Sequence, residues 1–124
     1  MRLRCKACQT VVTNTLSELD DLSKLNQNAC GEDFIPQGFF IKNGNDDYPA
    51  RIRNRIIINI YDLIQSKYHP DRRRLNGCCG MDGCDGNNLV CKNGHEIGVE
   101  MSDCWTQHLV AFDPNLVEIS RFEK

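Results

Sequence analysis

Apolar residues in this chain come in short runs separated by clusters of Asn, Asp, Gly and Pro, not as one long periodic stripe. The run Arg55-Ile56-Ile57-Ile58 is β-branched, which suits a pleated surface better than a helix, and predicts a buried strand. Asn59, with Asp62 three residues on, resembles a helix start leading into Leu63-Ile64-Gln65, so strand passes into one or two helical turns. Near the N-terminus, Arg2 to Val12 reads as a strand, a tight turn at Cys5 and Cys8, and a return strand. Leu16, Leu19, Leu22 and Leu25 then recur every three residues, with Thr15 or Ser17 available as N-cap, and predict a short amphipathic helix. Residues 26–49 read as loop, short strand, loop around Phe34-Ile35 and Phe39-Phe40-Ile41. Asn88 to Val90, Glu96 to Met101 and His108 to Phe112 predict three strands, and Asp113-Pro114-Asn115 a turn before a final short apolar stretch. The expected fold is α+β and β-rich, with one or two short helices, in a single domain over residues 1–124.

One segment fits no regular element. Asn76 to Asn88 contains Gly77, Gly80, Gly83 and Gly86, two Asp-Gly pairs, and Cys78, Cys79 and Cys84. Such a run is loop, and a loop so rich in glycine needs something to hold its shape.

Cysteine usage suggests what that is. The chain has 8 cysteines in 124 residues, and in a reducing compartment such density points to metal binding before disulfides. Cys5-x-x-Cys8 supplies two sulfurs on one side of a turn, which is half of a tetrahedral site. Cys91-Lys92-Asn93-Gly94-His95 can supply the other half, because glycine before the histidine lets the backbone bring the imidazole back toward the thiolate. This stretch resembles the C-x-x-G-H element of treble-clef and ribbon zinc domains. Cys5, Cys8 and Cys91 rank first as ligands, with His95, Cys79 or Cys104 as the fourth. One structural zinc ion is the expectation; a second, from Cys30, Cys78, Cys84, Cys104 and histidines, is allowed by the count but not forced by the spacing. The bland alternative is that the thiols are small buried hydrophobes. Thioredoxin-type redox chemistry is disfavoured, since Gln9-Thr10-Val11-Val12-Thr13 favours a strand where that chemistry needs a helix N-terminus.

Composition bounds the rest. With 40% hydrophobic and 26% charged residues the chain is too apolar and too mixed in sign to be disordered. Met1 to Lys6 is followed by no apolar run of signal-peptide length, and no stretch reaches the length of a membrane span, so a cytoplasmic location and no membrane partner are expected. The net charge of −2 is unevenly spread: residues 51–79 carry 7 basic and 2 acidic side chains, residues 80–124 carry 3 and 8. Packing of the two segments against each other accounts for this most simply; a nucleic-acid or nucleotide-phosphate site on Arg51, Arg53, Arg55, Arg72, Arg73 and Arg74 is the alternative.

Three shorter patterns carry less. Tyr68-His69-Pro70-Asp71 resembles the J-domain cochaperone loop, but Leu75 to Gly80 cannot form the helix that should follow. Gly80 to Asn87 is similar to a calcium loop without its closing glutamate, so turn chemistry explains it better. Cys104 with His108 and Asp103 or Asp113 could form a thiol nucleophile with its base. Trp105 reads as a core or metal-shielding aromatic.

The ordered succession Cys-x-x-Cys, His-Pro-Asp-Arg-Arg-Arg-Leu-Asn-Gly-Cys-Cys-Gly, Asp-Gly-x-Asp-Gly-x-Asn-Leu-Val-Cys and Asp-Cys-Trp resembles a group of small bacterial zinc-ribbon-like proteins, over the first dozen residues and residues 69–105. Those proteins often carry a second cysteine two residues after the Cys91 position, where this chain has Asn93. The resemblance implies a zinc-stapled domain and carries over no activity. The reading of the residues is a non-catalytic structural-zinc module that binds a protein partner, with the phosphate binder of residues 51–74 and a zinc or thiol hydrolase as alternatives.

Overall fold

The computed structural model describes residues 1–26, 31–43, 49 and 52–120. Cys30 and Arg51, which the sequence offered as a ligand and a phosphate contact, lie outside the described residues. The described residues form nine strands: β1 Arg2–Cys5, β2 Ser17–Glu18, β3 Phe39–Asn43, β4 Arg55–Ile58, β5 Ser66–Tyr68, β6 Leu89–Cys91, β7 Glu96–Met101, β8 Leu109–Phe112 and β9 Val117–Ser120. Seven of them make one sheet in the order β2-β3-β4-β8-β7-β6-β5, and β1 with β9 makes a second.

The expected α+β class is overturned. Among the described residues the only helical pieces are three 3-10 turns, Leu22–Lys24, Ile60–Asp62 and Arg72–Arg74. The leucine helix fails because its residues do not share a side. Leu16 is buried in one core, Leu19 and Leu25 in another, and Leu22 is 58% exposed. A stride of three drifts by roughly 60° per step on a helix of 3.6 residues per turn, so Leu16 and Leu25 would have stood on opposite faces. Asp21 instead caps a single turn by accepting the Ser23 amide. Asn59 caps as expected, its side chain accepting the Tyr61 amide, but the turn it opens is one 3-10 turn and not a helix.

Period two organises the large sheet. In β8, Val110 and Phe112 enter one core while Leu109 and Ala111 enter the other; in β4, Ile56 and Ile58 face the first and Ile57 the second. Both faces are therefore covered, which is why these strands read as continuous apolar runs. β7 changes side part-way: Ile97 lies in the first core, Val99 and Met101 in the second. Leu89 pairs with Gly98 and Val90 with Glu96, so Ile97 is an extra residue and a β-bulge reverses the alternation.

The small sheet joins the two ends of the described chain. Arg2 to Cys5 pair antiparallel with Ser120 to Val117, and Arg4 clasps Glu118 at 2.6 Å. The predicted return strand after Cys8 is reduced to a single bridge, Arg4 to Val11. Leu3, Cys5 and Val117 cap the first core, so Cys5 enters the interior from β1 while Cys91 enters it from β6. No described helix is long and apolar enough to cross a membrane.

Candidate metal centre

Two tight backbone turns bring the N-terminal and central chain together. After β1 the Cys5 amide donates to the Thr10 carbonyl and the Gln9 amide to the Cys5 carbonyl, both at 2.7 Å, with Gln9 in the left-handed region at φ 66°. After β6 the Cys91 amide donates to the His95 carbonyl at 2.8 Å, and Gly94 turns the chain at φ 89°. That conformation is cheap for glycine and costly for residues with a Cβ, which explains the Gly-His pair.

The result is a four-residue cluster. Ligand atoms of Cys5, Cys8, Cys91 and His95 all lie within 4.8 Å of one another, an arrangement that can hold a metal ion. The Cys8 and Cys91 sulfurs are 3.7 Å apart, and His95 Nδ1 is 3.4 Å from the Cys91 sulfur. Cys5 and Cys91 are buried, Cys8 is half-buried and His95 is exposed at the mouth. Burial pushes the Cys5 thiol up from its ordinary value. The Thr10 hydroxyl, with the Asn93 amide beside it, pulls the Cys8 thiol down to about 5. These contacts are short, Thr10 Oγ1 at 3.1 Å and Asn93 Nδ2 at 3.4 Å from the Cys8 sulfur. Asn93 also donates to Thr10 Oγ1 at 3.3 Å. Neither residue's contact with the Cys8 sulfur is legible in the sequence.

Cys79 sits elsewhere. With Cys78 and Cys104 it forms a second group whose sulfurs lie within 4.8 Å of one another and which can also hold a metal ion. Cys79 is 2.9 Å from Cys104 and 3.9 Å from Cys78. All three are exposed, yet the backbone that carries them is pinned by one buried carboxylate: Asp103 accepts the amides of Cys78 at 2.8 Å, Cys79 at 2.9 Å and Cys104 at 2.7 Å. Burial alone would raise the Asp103 carboxyl, but those amides hold it well below the usual carboxylate range. Gly77 and Gly80 are required by the close approach: a Cβ on Gly80 would stand 2.4 Å from the Ser102 carbonyl oxygen, and one on Gly77 only 1.7 Å from that of Gly80.

The other residues singled out in the sequence have the following surroundings. The Cys104 thiol is pushed up to about 12 by its hydrogen bond to Cys79 and by desolvation, the reverse of an activated nucleophile, and His108 Nε2 bonds the Asp103 carbonyl at 3.1 Å. Trp105 is 51% exposed, not a core residue. In the calcium-like loop, Asp82 accepts the Cys84 amide and Asp85 accepts from Asn76, as turn chemistry requires. Of the basic segment, Arg73 grips Asp71 through two nitrogens at 3.0 Å each, Arg74 donates to the Asn87 carbonyl at 3.0 Å, and Arg55 donates to Asn87 Oδ1 at 2.8 Å. His69, from the J-domain-like segment, bonds Glu96 at 3.0 Å.

No family model, curated protein or solved structure matches this chain.

Proposed function

We propose that this chain is a structural-zinc protein in which Cys5, Cys8, Cys91 and His95 hold one zinc ion, and that the domain so fixed serves as a non-catalytic module binding a protein partner. The carrying observation is the convergence of four ligand atoms from two turns 83 residues apart in sequence. Tetrahedral zinc with bonds of about 2.3 Å to sulfur and about 2.0 Å to nitrogen spaces thiolates about 3.8 Å apart and thiolate from imidazole about 3.5 Å. The 3.7 Å between Cys8 and Cys91 and the 3.4 Å between Cys91 and His95 match those spacings. Three sulfurs and one nitrogen complete the shell, leaving no open position for chemistry. The binding role is supported by exposed aromatic surface: Tyr61 is 70% exposed and Tyr68 55%.

Elemental analysis of the full chain, purified under reductant and without a metal-affinity tag, should find one zinc per chain that survives dialysis. Cys8→Ser with Cys91→Ser should lose it. A wild-type protein without that ion, or a double variant that keeps it, would sink the reading.

A further inference from the structure

The two cysteine groups differ in the way that separates closed metal sites from open ones. Around Cys5 and Cys91 the sulfurs are buried and four donors are present. At Cys78, Cys79 and Cys104 the protein supplies three donors, all exposed, and among the described residues no His, Cys, Asp or Glu completes that group. Cysteine is among the residues most often buried, so three exposed sulfurs in one cluster call for an explanation. Chance proximity is a poor one, because the Asp103 carboxylate and the two collapsed glycines fix the backbone beneath the thiols before any ion arrives.

We propose that Cys78, Cys79 and Cys104 form a second metal site, for zinc or another thiophilic divalent cation, in which the protein contributes three thiolates and the fourth position stays open to an exchangeable small donor. Water fills that position at rest and a small anion replaces it. Cys78 and Cys79 line a cleft of 620 Å³ together with Tyr68, Glu100 and Ser102. The Tyr68 hydroxyl stands 3.3 Å from the Glu100 carboxylate, so polar groups are available to orient a molecule bound to the ion. Each thiol releases its proton as the cation binds, so loading is accompanied by acid release. Three protein ligands with one free place is the arrangement by which metal sites exchange ligands, whereas four protein ligands close a site.

The site is tested on the full chain, reduced and handled without oxygen. Titration with zinc should end at two equivalents, one of them removed by a mild chelator that leaves the other in place. Cys78→Ser with Cys104→Ser should keep the tight equivalent and the circular dichroism of the wild type while losing the weak one; Cys79→Ala alone should do the same. Loaded with cobalt in the weak site, the protein should change its visible absorption when azide is added, and the serine double variant should not. Saturation at the chelator-resistant equivalent alone, a serine double variant that still binds the weak equivalent, azide-insensitive absorption, or a Cys79–Cys104 disulfide that persists under reductant would each overturn the proposal. Failure of the structural-zinc reading would instead remove the tight equivalent and leave the weak one.

Discussion

At the scale of single residues, what distinguishes the first centre is how its thiolates are supported. A thiol binds metal as thiolate, and Cys8 is held in that form by the Thr10 hydroxyl and the Asn93 amide rather than by a nearby cation. Asn93 serves twice, since its amide also fixes the Thr10 hydroxyl. It touches a ligand and not the ion, and partners of that kind typically change affinity by about 10–100-fold. Asn93→Ala should therefore raise the Cys8 thiol above its present value of about 5 and weaken zinc by about tenfold or more, with secondary structure unchanged. Competition against a chromogenic chelator measures this; an unchanged affinity would show that Asn93 only occupies space.

At the scale of elements, legibility followed locality. The β-branched run of β4 and the strands β6, β7 and β8 announced themselves by composition, and the Gly-His turn by a residue that only one backbone shape requires. The leucine spacing misled because the segment is divided between two cores, a division visible only once β2 has joined the sheet edge beside β3. The pairing of β1 with β9 had no local signal at all, since its partners lie at opposite ends of the chain. At the candidate site the clustering of Cys5, Cys8, Cys91 and His95, and the separation of Cys79 from them, depended on that same long-range topology. The bulge in β7 was equally hidden, as was the close approach of β8 to Gly98. A Cβ there would meet the Ala111 carbonyl oxygen at 2.4 Å and the Phe112 Cα at 2.9 Å, both backbone atoms of a central strand that cannot step aside. Gly98→Ala should cost about 1–3 kcal/mol, the range for overpacked interiors, and lower the urea midpoint with the slope unchanged. Wild-type stability in that variant would mean that β7 and β8 have more room than this register gives them.

For the whole molecule, the proposed zinc at the first centre would decide how β1 and β9 stay docked. Those two strands are short, make a sheet of only two, and reach the large sheet through one side of the first core, in which Cys5 and Cys91 are themselves buried members. Two-stranded sheets are marginal in water without such packing. Zinc binding to structural sites supplies on the order of 10 kcal/mol, comparable with the net stability of an ordinary domain, so losing the proposed ion should free the elements that its ligands tie together. The second core, on the other face of β4 and β8, contains none of the ligands. Removing zinc with a strong chelator under reductant should therefore release the β1–β9 sheet first: amides of residues 2–12 and 117–120 should exchange faster by orders of magnitude while those of β4 and β8 remain the best protected. Hydrogen exchange read by mass spectrometry resolves the two regions, and equal protection of the terminal strands with and without zinc would mean that β1 and β9 hold their place by apolar contact alone.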